Sequence, residues 1–145
     1  VRNEGTQICL VNPRRQLLVS RRASTLREFP GYVQFPGGRL EAGESKYDGA
    51  RRELDEELGI LNIHTFGPWI DLFSNTFNPP GREPYVLHSF VLLVPTLVWP
   101  YPNPEPEKCS DWYWADWLWL VYQPDLMDGM KETLDWLTTE YWEDP

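Results

Sequence analysis

The chain is predicted to fold as an α+β protein, an α/β/α sandwich in which helices flank a mixed β-sheet. Three observations carry this. Apolar runs rich in β-branched and aromatic residues recur at strand length. One amphipathic segment, Lys46–Leu58, has a start and a stop signal at helix spacing. A second helical segment lies within Pro124–Tyr141, so an early and a late helix accompany the strands.

In chain order, Thr6–Val11 and Gln16–Ser20 read as strands joined by the turn Asn12-Pro13-Arg14-Arg15, a hairpin. Ala23–Gly31 is a polar connector, and Tyr32–Phe35 a short extended piece ended by Pro36-Gly37-Gly38. Arg39–Glu44 reads as a loop. Ser45 is a suitable N-cap for Lys46–Leu58, and Gly59 stops that helix. Two longer strands are expected over Asn62–Phe73 and Tyr85–Leu97, with Ser74–Glu83 between them. Pro100–Pro106 is expected to be extended and exposed. Asp111–Trp114 reads as a short strand, and Trp117 and Trp119 fall in a connector. His64 and His88 lie in strand-like runs and read as structural.

A chain of 145 residues suits one domain over 1–145. At 41% hydrophobic residues it can build a core without a disulfide or structural metal, since a chain of this size buries roughly two-thirds of its unfolded surface. Its two cysteines make no disulfide framework. The net charge of −9 disfavours a DNA or RNA duplex as partner, because such affinity rests on lysine and arginine. A small phosphorylated substrate remains acceptable if divalent cations accompany it. No apolar stretch approaches the ~20 residues that span a bilayer, so no membrane partner is expected. A soluble, cytoplasmic protein is expected, monomer or homodimer. Val1 in place of a methionine leaves open whether an N-terminal segment was removed.

The chemistry is concentrated in Gly37–Ile60. On a helical wheel Tyr47, Ala50, Leu54 and Leu58 share a core-facing stripe, and Glu53, Glu56 and Glu57 share the adjacent one. Like charges at these spacings cost on the order of 0.2–0.5 kcal/mol each on a helix. A hard divalent cation reverses that sign, and Mg²⁺ prefers carboxylate, water and phosphate oxygens. The Gly37-Gly38 turn lets backbone approach such an ion closely. Three glutamates alone would more simply be a solvated helix face. An EF-hand-like calcium loop is a poorer match, because its ligands alternate along a loop.

The joint pattern argues against both. Gly38, five residues, Glu44, seven residues, Arg52-Glu53, Leu54, one residue, Glu56-Glu57, one residue, Gly59-Ile60 resembles the Nudix box at every position. The resemblance implies a Nudix fold and a hydrolase using Mg²⁺ or Mn²⁺. It makes Glu53, Glu56 and Glu57 the expected metal ligands, aided by the carbonyl of Gly37 or Gly38, with Glu44 supporting the metal shell. Arg52 would orient a neighbouring glutamate. Water would attack phosphorus, with Glu53 the first candidate for general base and Glu57 the second. A further acidic ligand from a later loop is expected at Glu107 or Asp111.

Leu17–Ala23 and Phe35-Pro36-Gly37-Gly38 resemble the first strands of MutT-type nucleoside triphosphate pyrophosphatases. This implies phosphate contact by Arg22 or Arg21 and a base pocket lined by Phe35. A solvated strand end and a core phenylalanine are the plainer alternatives. Glu105–Cys109 with Trp112, Trp114 and Trp117 resembles the eukaryotic MutT-like branch. Expected substrates are nucleoside triphosphates, oxidised ones included, or nucleoside diphosphates linked to another group. A non-nucleoside diphosphate such as a prenyl diphosphate, a dinucleoside polyphosphate, and a non-catalytic nucleotide-binding module are the alternatives. An acidic surface weighs against an mRNA-decapping role.

Overall fold

The computed structural model describes residues 3–59, 62–96 and 103–142. Ile60 of the motif, Leu97 at the end of an expected strand and the Pro100–Pro102 part of the proline-rich connector lie outside them. Among the described residues seven strands form one mixed sheet: β1 (Glu4–Val11), β2 (Gln16–Arg21), β3 (Val33–Gln34), β4 (Gly37–Arg39), β5 (Trp69–Phe77), β6 (Tyr85–Leu93) and β7 (Tyr113–Asp116). The order is β3-β2-β1-β6-β5, with β4 also on β1 and β7 on β2. β1 and β6 run parallel and the other pairs antiparallel, as a mixed sheet requires.

β1 shows why the sheet lies between two layers. Its side chains alternate faces, yet both faces are apolar. Ile8 and Leu10, with Leu18, Phe90 and Leu92, pack under helix α1 (Lys46–Leu58) through Ala50, Leu54 and Leu58. Cys9 and Val11, with Leu17, Val19 and Val91, pack instead under α2 (Trp117–Val121) and α3 (Met130–Trp136) through Leu120, Met130 and Leu134. The α/β/α sandwich expected from sequence is therefore observed.

α1 begins and ends where its caps dictate. The Ser45 hydroxyl accepts from the Asp48 N–H, and Gly59 adopts φ 65°, its N–H donating to the Asp55 carbonyl. Elsewhere boundaries move: β6 stops at Leu93, short of the expected Leu97, and β7 runs Tyr113–Asp116 where Asp111–Trp114 was expected. Ile63–Thr65 is a 3₁₀ turn, so β5 starts at Trp69 rather than Asn62 and runs past Phe73 to Phe77. Asn62 is left-handed at φ 62°, a conformation incompatible with a strand there. Gly37–Arg39, expected as turn and loop, pairs with Gln7–Gly5 as β4. Trp117 and Trp119 lie in α2, started by the Asp116 carboxylate accepting from the Leu118 N–H. Among the described residues no helix is long and apolar enough to cross a membrane.

Candidate active site

Two elements meet to form the site: the β3–β4 turn at Pro36-Gly37-Gly38 and the middle of α1. Burying Ala50, Leu54 and Leu58 fixes the rotation of α1, and that rotation turns Glu53 and Glu57 toward the glycines. The Glu57 carboxylate accepts from the Gly37 N–H at 3.2 Å. Glu53 packs so closely on Gly38 that a Cβ there would lie 2.4 Å from its carboxyl carbon. Gly37 is also irreplaceable on steric grounds: its Cβ would fall 2.1 Å from the Thr6 carbonyl oxygen. The glycines thus let backbone and carboxylates share one small space.

Arg52 organises the outer side of this cluster. Its guanidinium grips Glu44 with two bonds of 2.8 and 2.9 Å, and reaches Glu53 at 2.9 Å, Glu56 at 3.3 Å and the Arg39 carbonyl at 3.1 Å. Forked, charge-assisted bonding of this kind fixes orientation as well as charge. Hydrogen bonds from Arg52, and then from the Glu41 N–H, hold the Glu44 carboxyl down at about 2. Glu44 first, and then Glu53, in turn hold Arg52 firmly protonated.

Glu53 and Glu57 are shifted the other way. Burial raises both, Glu57 strongly, and the Arg52 bonds offset this only in part for Glu53. The charge of Glu53 raises Glu57 further, that of Glu56 raises Glu53, and Glu105 adds to both. The sequence expectation of three converging carboxylates is met only in part. Among the described residues no three acidic, histidine or cysteine side chains gather tightly enough to cage an ion. Glu56 is exposed, drawn along the helix surface by Arg52. The donors that do meet are all oxygens, and raised carboxylates beside an accessible turn are the chemistry a hard divalent cation relieves.

The box opens on a cavity of about 460 Å³. Gly37, Gly38 and Arg39 form one end, and Gln7, Phe35, Leu87, Met127 and Asp128 are among its walls. The sequence pair Arg21-Arg22 is split by strand alternation. Arg22 lines the cavity, donating to the Glu28 carbonyl and the Gln34 amide, whereas Arg21 bonds Asp125 and the Gly31 carbonyl instead. Phe35 is both: a core side chain, 4% exposed, that also lines the cavity.

Four residues at this site escaped the sequence reading. Glu107 and Asp111 are exposed, and the loop acid whose charge reaches Glu53 and Glu57 is Glu105. An Asn103-Pro104 turn signal could have marked it, for the Asn103 side chain accepts from the Glu105 N–H at 3.0 Å. Gln7, Tyr85 and Asp128 carried no local signal. The Tyr85 hydroxyl donates to the Asp128 carboxylate at 2.6 Å, and the Gln7 amide donates to the Asp128 carbonyl at 2.8 Å. His64 and His88 are structural in their contacts, with Asp55 and with Glu4 and Ser74.

The model of the NUDIX domain family matches residues 1–137. The chain belongs to the Nudix family. Among curated Nudix relatives, the m7GpppN-mRNA hydrolase of Danio rerio is 30% identical over 140 residues, covering 88% of this chain and 46% of that protein. The 8-oxo-dGTP diphosphatase of Haemophilus influenzae is 40% identical over 38 residues, 26% of this chain and 28% of that one. This Nudix chain spans less than half the length of these curated relatives. A MutT protein from Methanosarcina mazei superposes with a TM-score of 0.74 at 18% identity, over 98% of this chain and 96% of that one. The Nudix domain of Shewanella oneidensis NrtR, complexed with ADP ribose, gives 0.70 at 16%, over 93% and 85%. Both establish a shared fold.

Proposed function

We propose that this chain is a Nudix pyrophosphohydrolase cleaving a phosphoanhydride bond in a nucleoside triphosphate or a nucleoside diphosphate linked to another group. One observation carries it: two raised carboxylates, Glu53 and Glu57, stand against the Gly37-Gly38 turn at the end of a nucleoside-sized cavity.

Glu53 and Glu57, with Glu56 and a carbonyl of the glycine turn, would hold Mg²⁺ or Mn²⁺. Such an ion neutralises phosphoryl oxygens and acidifies water. Glu44 and Arg52 keep Glu53 oriented. Glu53, or second Glu57, takes the proton from the attacking water, a task suited to a carboxylate whose proton affinity burial has raised. Arg22, which lines the cavity together with Arg39 and Arg82, is a cation at hand for substrate phosphate, and the Phe35, Leu87 and Met127 wall suits an apolar ring.

Glu53→Gln and Glu57→Gln keep shape while removing charge. Each should lower kcat with a purine nucleoside triphosphate and Mg²⁺ by a factor of about 10² or more, the usual scale for losing a general base. Full activity in both would refute the site, and nucleotide binding without turnover in either metal would favour a non-catalytic module. A second reading is supported by the Danio rerio relative that covers 88% of this chain, whose name specifies capped mRNA. A panel of nucleoside triphosphates, capped dinucleotides, dinucleoside polyphosphates and prenyl diphosphates, with products identified, separates these substrates.

A further inference from the structure

We propose that Arg21 is a positioning residue, which sets the Met127–Asp128 wall of the cavity by clamping Asp125; this rests on the cavity being the substrate site. Sequence resemblance offered Arg21 as a phosphate contact, but its geometry points elsewhere. Alternation from Leu17 and Val19 carries it to the α3 face of the sheet. There its Nη1 donates to the Asp125 Oδ2 at 2.7 Å and to the Gly31 carbonyl at 3.0 Å. One guanidinium therefore joins β2, the connector before β3 and the segment before α3.

That segment is laid against β3 by a single isolated parallel bridge. The Val33 N–H donates to the Asp125 carbonyl at 2.9 Å, and the Met127 N–H to the Val33 carbonyl at 3.0 Å, so Leu126 lies parallel beside Val33. Its far end is pinned by the Gln7 amide on the Asp128 carbonyl and by Tyr85 on the Asp128 carboxylate. Gly129, at φ 87°, then turns the chain into α3 where a Cβ would strike Leu87 and Gln7. The Asp125 Oδ1 is already buried without a partner. Without Arg21 its other oxygen loses its charged partner too, and this partly exposed carboxylate, with one oxygen already buried and unpaired, turns toward water. Asp125 would carry Met127 and Asp128 with it.

The test is kinetic, supported by hydrogen exchange. Arg21→Met should raise KM for dGTP with Mg²⁺ about tenfold while kcat stays within about twofold, the signature of lost binding without lost chemistry. Asp125→Leu should do the same, and the double variant should be no worse than either single one, because the two residues act as one unit. Arg21→Lys, which presents one point charge in place of the fork, should fall between. The Met127 amide should lose exchange protection in Arg21→Met. Additive losses with Met127 protection intact would mean that Arg21 touches substrate and would overturn the proposal, as would an unchanged KM. A wild-type protein that neither binds nor cleaves any nucleotide removes the proposed function, whereas the Met127 exchange result still judges the clamp.

Discussion

Arg52 is the residue on which the box turns. A lysine could match its charge but not its fork, which holds Glu44 at two points and Glu53 at a third. Arg52→Lys should therefore lower kcat by about tenfold while leaving KM nearly unchanged, the pattern of an interaction used in the transition state; steady-state kinetics checks it. Glu44 records the same bond in its acidity. With its carboxyl held near 2, Glu44 favours the folded state at pH values above the usual carboxylate range. That contribution fades as pH falls toward 2, since the folded state is then forced to take up a proton the unfolded chain already holds. Glu44→Gln should flatten the acid limb of a stability–pH curve measured by urea unfolding.

At the scale of elements, α1 and the β3–β4 turn do different work. α1 is stabilised locally, and removing its cap in Ser45→Ala should cost about 1 kcal/mol in chemical denaturation without touching the chemistry. The turn is stabilised by what lies against it. Gly38→Ala would place a methyl group where the Glu53 carboxyl now sits. Glu53 is a side chain that can swing away, so activity should fall by well over tenfold, with only a modest loss of stability of about 1–2 kcal/mol. Gly37→Ala meets the Thr6 backbone, which cannot swing, so its loss of stability should be the larger. Unfolding midpoints beside activity measurements distinguish the two glycines.

For the whole molecule, raised carboxylates couple folding, protons and metal. A carboxyl whose folded pKa lies above its unfolded value binds more protons in the folded state, so stability falls as pH rises through that window. Glu53 and Glu57 should weaken the metal-free protein in this way above about pH 4.5, the region where an ordinary glutamate has already ionised. A divalent cation displaces those protons and stabilises the folded state by mass action. The rise in Tm on adding Mg²⁺ should thus be larger above about pH 4.5 than below it, and Glu57→Gln should abolish most of that difference. Thermal melts with and without chelator read it directly; a pH-independent shift would refute metal binding at these residues.

Local features of the chain were enough to define α1, its caps, its buried stripe and the place of Glu44, Arg52, Glu53 and Glu57 on it, because capping and 3.6-residue periodicity act within a few neighbours. They also marked strand-length apolar runs with one early and one late helix, from which the sandwich was expected. Only the tertiary structure parted Arg21 from Arg22, turned Glu56 outward, brought the charge of Glu105 to bear on Glu53 and Glu57, and brought Gln7, Tyr85 and Asp128 to one cavity. Those outcomes depend on which distant strand or loop arrives alongside. A parallel pairing such as β1 with β6, or Leu126 beside Val33, joins residues with no local pattern in common, and burial and charge at the site follow from that meeting.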